Sequence, residues 1–386
     1  MSKIFIYDEF SPEDMAMLQA LYSRSAESVA EHAKKVKETG SGKFMERYYV
    51  GYGHASIADC GSTTVFLEGV SMLVAKAVQD WPLYSGQETS SRYIDMSRQD
   101  ITDPVANTES KNILAKWLAF YIGEQAAVEA HLREKYPLKK GEKPEVYDRA
   151  IKARIFDILR GFLPAGVNTQ LSWHTNLRQA HDKLTLLKYH PLQEVREAAE
   201  TIHSQLKTRY AHSFGHELYP EQEKYREDMM AKYTYLDEKN YKDDFTMSTN
   251  IKNEDLAKYY EVITTRPIKT NLPLFLAELG HVTFDFLLDF GSFRDIQRHR
   301  NGVCRMPLLT TKYGFNDWYL EQLPAESRVK AEALIAGQVK SIGALPGRME
   351  DKQYYVAMGF SVSCRTTYAL PAAVYTVELR SGRLVH

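Results

Sequence analysis

One order of landmarks occurs twice along this chain of 386 residues, and it restricts the fold more than any other feature. In the first occurrence, over 62–93, a β-branched and aromatic run (Thr63, Thr64, Val65, Phe66) passes into helical spacing (Val70, Leu73, Val74, Ala77, Val78) and then into a loop opened by Pro82. The second occurrence, over 282–313, has the same order: a Thr/Phe-containing run, a short helix, a loop. Further on, Leu163-Pro164-Ala165-Gly166-Val167 is echoed by Leu370-Pro371-Ala372-Ala373-Val374, and Thr175-Asn176-Leu177-Arg178 by Val377-Glu378-Leu379-Arg380. Short β runs feeding helices imply α+β units, and two related units imply a pseudo-symmetric pair. The expected architecture is therefore α+β, with two tandem copies of one unit built from β-sheet and long helices. The expected division is a first copy over 1–219, a charged, tyrosine-bearing linker over 220–253, and a divergent second copy over 254–386.

Helix signals fill in the outline. Residues 11–38 read as helix, capped by Ser11, with Pro12 at its first position and Glu13 and Asp14 at its positive end. Long helical patterns follow at 110–136, at 145–162 up to Leu163-Pro164, and at 191–211.

The size is that of two domains or one large one, and 44% apolar residues supply ample core. A formal net charge of -1 argues against a general nucleic-acid partner, while leaving room for local cationic patches. The three cysteines, Cys60, Cys304 and Cys364, form no CxxC pair, which points to a reducing compartment and away from structural zinc. No signal-peptide pattern follows Met1, and no apolar run is long enough to span a bilayer, so the expectation is a cytoplasmic protein with no membrane partner.

Two stretches carry chemistry. Arg298-His299-Arg300 sets an imidazole between two guanidinium forks, whose planar donors match phosphate or a carbonyl-rich ring edge; a solvated basic turn is the plainer alternative. The stretch Gln87-Glu88-Thr89-Ser90-Ser91-Arg92-Tyr93 offers hydroxyls, backbone N–H groups and an arginine that can cradle phosphate, or it is an ordinary polar loop. Arg160 closes a helix and can simply compensate its dipole, and Asn176 and Arg178 mark a helix start. Gly40-Ser41-Gly42-Lys43 fails as a phosphate loop, because Lys37 and Phe44 replace the first glycine and the Ser/Thr. His212 and His216 have i,i+4 spacing without the accompanying glutamate, and no metal site is expected.

Taken in order, Gly53-His54-Ala55-Ser56 with Asp59, Gly69-Val70-Ser71, Gln87-Glu88-x-Ser90-x-Arg92-Tyr93, Arg160, Leu163-Pro164, Trp173 and Asn176-Leu177-Arg178 resemble the flavin-dependent thymidylate synthase family. Arg298-His299-Arg300, Leu370-Pro371 and Arg380 resume the resemblance in the second half, so the chain is similar to a duplicated, two-copy member. The departures are complementary. The first copy reads Asp80-Trp81-Pro82 where the family has Arg-His-Arg, and the second reads Val303-Cys304-Arg305-Met306-Pro307-Leu308 where it has the Ser-x-Arg-Tyr loop. Thr367 stands at the expected counterpart of Arg160. The family also carries an arginine nine residues beyond the one matched by Arg380; in the first copy that place is Leu187, and in the second it would lie past His386.

The resemblance implies reductive methylation of dUMP to dTMP, with methylenetetrahydrofolate as carbon donor, FAD as cofactor and NADPH as reductant. Family members are homotetramers with sites between subunits, which implies a homodimer of two-copy chains here and one composite site shared by the copies. By the same resemblance, Glu88, Ser90, Ser91, Arg92 and Arg160 bind dUMP. His54, Gln87, Asn176, Arg178, His299 and Arg300 face FAD, and Arg298 lies between uracil and flavin as the catalytic cation. The alternative is a non-catalytic nucleotide- or flavin-binding relative, a scaffold or regulator.

Overall fold

The computed structural model describes residues 6–91, 94–236 and 245–382, which leaves Arg92 and Tyr93 outside the described residues. Helices and two small sheets make up the protein: a three-stranded sheet ordered β1-β3-β2 and a four-stranded sheet ordered β4-β5-β7-β6. The strands are β1 (Ser62–Ser71), β2 (Ser85–Glu88), β3 (Asn168–Asn176), β4 (Phe245–Thr249), β5 (His281–Asp289), β6 (Gly302–Cys304) and β7 (Ser361–Ala369). The chain divides into two compact units that do not follow its halves. One holds 1–69, 83–88 and 170–234; the other holds 70–82, 89–169 and 235–386.

In the first unit, Ser11 Oγ accepts from Asp14 N and Pro12 opens the Pro12–Tyr22 helix. The single helix expected over 11–38 is two, because Ser28 caps a second one, Val29–Thr39. The break falls in Ser23-Arg24-Ser25-Ala26-Glu27-Ser28, where short polar side chains compete for backbone groups; Ser23 Oγ turns back to Ala20 O at 2.9 Å. The two helices close on a core of Met17, Leu18, Ala33 and Val36. β2 runs antiparallel to β3, from Ser85 opposite His174 to Glu88 opposite Leu171. Along β3 alternate residues Leu171, Trp173 and Thr175 are buried, the period-two pattern of a half-covered strand. Asn176 then caps the Leu177–Leu187 helix by accepting from Gln179 N at 2.8 Å. The stretch expected as linker contains the Pro220–Tyr233 helix, which buries none of its residues. It is held by pairs along its own surface, such as Lys224 with Glu227 and Asp228, which is why it reads as linker by composition.

The second unit is built on β5 and β7, paired antiparallel from His281 opposite Ala369 to Asp289 opposite Ser361. β4, from the latter part of the expected linker, adds an edge strand to β5. The helix pattern at 110–136 breaks at Glu124, whose buried carboxylate takes Ser327 and Lys330. Trp117 is fully buried and its indole N–H donates to Tyr355 O at 3.0 Å.

Two segments of this unit meet reciprocally. Ala165 N donates to Val356 O and Met358 N to Leu163 O, both at 2.9 Å. Gly166 N donates to Tyr354 O at 3.0 Å and Gly359 N to Gly161 O at 2.7 Å. A Cβ on Gly166 would lie 2.8 Å from Tyr354 O, and one on Gly359 would lie 2.8 Å from Gly161 O, so both positions need glycine for close backbone approach. Each segment follows a three-residue 3-10 turn, Arg160–Phe162 or Gln353–Tyr355, and leads into a nine-residue strand and an eleven-residue helix.

The two members of the sequence echo occupy different places. Leu370-Pro371 does not repeat the place of Leu163-Pro164: it opens the Leu370–Arg380 helix, whereas Leu163-Pro164 precedes β3. The turn that leads into β7 begins at Gln353, while Thr367 lies within that strand, and Arg380 is the last residue of its helix whereas Arg178 is the second of its own. The echo misled because proline is favoured both in a helix's first turn and just after a helix, so the dipeptide marks either place.

Candidate functional site

Arg160 lies at the end of the Pro144–Leu159 helix with only 7% of its side chain exposed. A guanidinium keeps its charge when buried, so the surroundings must compensate it. Asp157 Oδ1 is 3.8 Å from Nη1 and Asp295 Oδ2 is 4.0 Å from Nη2, distances of ion pairing rather than of hydrogen bonding. Among the described residues the buried Nε has no hydrogen-bond partner. A buried cation with an unused donor is suited to an anion brought from outside.

Asp295 joins this arginine to the Arg-His-Arg stretch. It lies in the last turn of the Phe290–Ile296 helix, and its Oδ1 is 3.6 Å from Arg298 Nε. Its backbone oxygen accepts from Arg380 Nη2 at 2.6 Å, and Arg380 Nε donates to His299 Nε2 at 2.8 Å. Three guanidinium groups thus gather around one aspartate, with Arg298 the most exposed. Because arginine only donates, Nε2 of His299 is the lone-pair nitrogen and the ring is neutral with its proton on Nδ1. Burial, then the Arg380 and Arg300 charges, push the His299 pKa down to about 4, against an opposing contribution from Asp295. The stretch therefore carries two charges at neutral pH, not the three that its composition allows.

His299 and Arg300 also border a cavity of about 160 Å³ whose other walls include Trp81, Pro82 and Cys304. That volume suits one ring system. Asp80-Trp81-Pro82 thus lines the same space as His299 and Arg300. Burial, then Asp80, raise the pKa of Cys304 far above the thiol range, which disfavours the thiolate a nucleophile needs. Ser90 is half-buried and Ser91 buried in this unit, with Ser90 O accepting from Ile94 N at 3.1 Å.

The other expected residues belong to the first unit. Gln87 and Glu88 end β2, and Gln87 N donates to Ser172 Oγ at 3.1 Å. Asn176 Oδ1 is used as a helix cap. Arg178 Nε donates to Asp59 Oδ1 at 2.7 Å, with Asp182 Oδ2 at 3.5 Å from Nη1. Asp59 closes the Ala55–Ala58 turn and the exposed His54 opens it; His54 stacks on Tyr48 with centroids 6.2 Å apart. Within the second unit the structure brings together Arg160, Arg298 and His299; within the first, Arg178 pairs with Asp59 and Asn176 caps the helix that carries Arg178.

Sequence reasoning missed Asp295 and Asp157. The two aspartates had a legible signal, an acid three residues before an arginine on a helical stretch. Among the described residues no group of three or more His, Cys, Asp and Glu side chains is arranged to hold a metal, and no helix is long and apolar enough to cross a membrane.

Comparison with known proteins finds relatives of this chain. The chain is 26% identical to a UPF0159 protein of Chlamydia muridarum (strain MoPn / Nigg), over 88% of this chain and 74% of the relative. It is 22% identical to a UPF0159 protein of Thermoplasma acidophilum, over 97% of this chain and 89% of the relative. Among solved structures, the flavin-dependent thymidylate synthase ThyX of Helicobacter pylori, complexed with FAD and dUMP, superposes with a TM-score of 0.32 at 16% identity, over 53% of this chain and 94% of that one. That superposition is too loose to carry an assignment. The family model described as thymidylate synthase complementing protein matches residues 7–210, more than half of the sequence, and the chain belongs to that family.

Proposed function

We propose that the chain is a flavin-dependent thymidylate synthase that methylates dUMP to dTMP at one composite site per chain. The observation that carries this reading is the buried Arg160, with its unused Nε, meeting Arg298 and Arg380 at Asp295. The matching turn, strand and helix lengths and the reciprocal hydrogen bonds around Pro164 and Ala357 support two copies of one unit. In that register Arg380 stands nine residues beyond the position matching Arg178, which is where the resemblance calls for a further arginine.

In this reading the dUMP phosphate is held by Ser90, Ser91, Arg92 and Arg160, with Glu88 on the sugar or base; charge-assisted hydrogen bonds give both affinity and orientation. Arg298 and Arg380 approach the same nucleotide from the other copy, and Arg298 stabilises negative charge developing on the pyrimidine carbonyl. FAD, when bound, supplies the carrier chemistry between methylenetetrahydrofolate, the carbon donor, and NADPH, the two-electron donor. The residues fit such a group: Arg300 supplies a cation and neutral His299 an Nδ1–H donor beside a cavity of ring size. The resemblance also implies FAD contacts from His54, Gln87, Asn176 and Arg178. The C5 proton of uracil is exchanged for a carbon that leaves the folate, and the reducing equivalents come from NADPH. A homodimer of such chains would parallel the family's tetramer.

A non-catalytic nucleotide-binding role is favoured by one observation: Arg178 and Asn176 are already committed to Asp59 and Gln179. One experiment separates the two. Purified protein, loaded with FAD, is given dUMP, methylenetetrahydrofolate and NADPH, and dTMP is measured. Turnover is expected; tight dUMP binding without dTMP establishes the binding role, and failure to bind FAD or dUMP removes both.

A further inference from the structure

The Phe290–Ile296 helix touches the Arg160 environment from both ends. Its last turn carries Asp295, whose carboxylate is 4.0 Å from Arg160 Nη2. Its N-cap is Asp289, whose Oδ2 accepts from Ser292 N at 2.8 Å and from the Tyr319 hydroxyl at 2.7 Å. Asp289 is 4% exposed and Tyr319 2% exposed, so this pair is as buried as Arg160 itself. A carboxylate placed there at this depth is costly unless it serves as cap, acceptor and counter-charge together. Tyr319 is fixed in turn by packing: a Cβ on Gly161, the residue after Arg160, would lie 2.6 Å from its ring, and the ring sits 5.7 Å from that of Phe315. The phenol oxygen and Asp289 contribute to the electrostatics of Arg160 together with Asp157 and Asp295.

We propose that Tyr319 and Asp289 are positioning residues that hold the Arg160 guanidinium in place for the phosphate group of a nucleoside monophosphate. The inference rests on the reading of Arg160 as a phosphate ligand and deepens it. Neither residue touches the ligand; each acts through Arg160. The Tyr319 hydroxyl gives its proton to Asp289, which leaves its lone pairs for donors beside it. Asp289 fixes the phenol and starts the helix that delivers Asp295 and Arg298. Arg160, through Asp295, and Arg298 are thereby both related to one short helix.

A double-mutant cycle on the full chain tests this, with dUMP binding measured by isothermal titration calorimetry. Tyr319→Phe keeps the ring and removes one hydroxyl; dUMP should bind about tenfold more weakly, as for a lost hydrogen bond in a charged network. In an Arg160→Ala background the same change should have almost no further effect, because the group it positions is gone. A purely structural role would weaken binding equally in both backgrounds, and that additivity overturns the proposal, as does wild-type affinity in Tyr319→Phe. Should Tyr319→Phe fail to fold, Asp289→Asn carries the same cycle, since asparagine retains the cap. If the wild-type chain binds no dUMP, the reading of Arg160 fails and the proposal with it; intact binding that ignores Tyr319 removes only the positioning role.

Discussion

At the residue scale, the charge state of one histidine governs the cationic cluster. His299 accepts from Arg380 only while neutral. Protonation would set a cation against Arg380, so acid should loosen Arg380 and weaken nucleotide binding below about pH 5. The same shift is a stability statement. His299 and His181 have pKa values pushed down to about 4 and His190 to about 3, in each case by burial first. His181 lies against His216, ring centroids 4.1 Å apart, and His216 and His203 are also lowered, burial again leading. Groups depressed in the folded state take protons more readily when unfolded, so stability is full above the ordinary histidine range and falls as pH drops from about 6.5 to about 4. Thermal melts across that window should show a steady fall in Tm, and a flat profile would contradict these buried neutral rings. Arg160→Ala belongs at this scale too: it should weaken dUMP binding by about 1.5–3 kcal/mol while the melting curve shows a folded protein. Arg92→Ala should act similarly and leave FAD binding unchanged.

At the element scale, the helix Phe290–Ile296 does most to place the candidate site. Its cap, Asp289, is an acid after a β run and three residues before a serine amide, a signal visible in the sequence. Asp289→Ala removes that cap and leaves the Tyr319 hydroxyl without its acceptor, which should cost about 2–3 kcal/mol of stability, read by urea denaturation. Much else at this scale was legible. The strand-to-helix passage at 62–79 came from a change of hydrophobic period, and the Ser11 cap from its side chain followed by proline. The breaks at Ser23–Ser28 and at Glu124 were not, since each lies inside a helical period and depends on short polar side chains or on tertiary partners such as Lys330. Tyr319 was illegible for a stronger reason: only folding brings a tyrosine so distant in sequence beside Asp289 and Arg160. The register of the second echo failed because Leu-Pro has two legitimate places around a helix, and counting strand and helix lengths is what separates them.

At the scale of the whole molecule, the two-copy reading makes a prediction about number. Gln353 stands where the first copy has Arg160, and it is fully buried with its hydrogen bonds made: Oε1 accepts from Leu309 N at 3.0 Å and Nε2 donates to Glu350 O at 3.0 Å. The stretch standing for the nucleotide loop is Met306-Pro307-Leu308, and it is sealed by the chain itself. Leu236 N donates to Met306 O at 2.7 Å and Leu308 N donates to Leu236 O at 3.1 Å, with Leu236, Met306 and Leu309 buried. None of these side chains is charged, and opening them to a phosphate would expose apolar surface, which opposes binding there. On the other side of the comparison, Asp80 stands for Arg298 and Leu187 for Arg380, so the cations are lost as well as the space. On that reading each chain should bind one dUMP, not two. Equilibrium dialysis with labelled dUMP should saturate at one per chain, and Arg160→Ala should shift that single class of site to higher ligand concentrations. Saturation at two per chain would mean that the apolar stretch opens, and the assignment of one composite site would then be wrong.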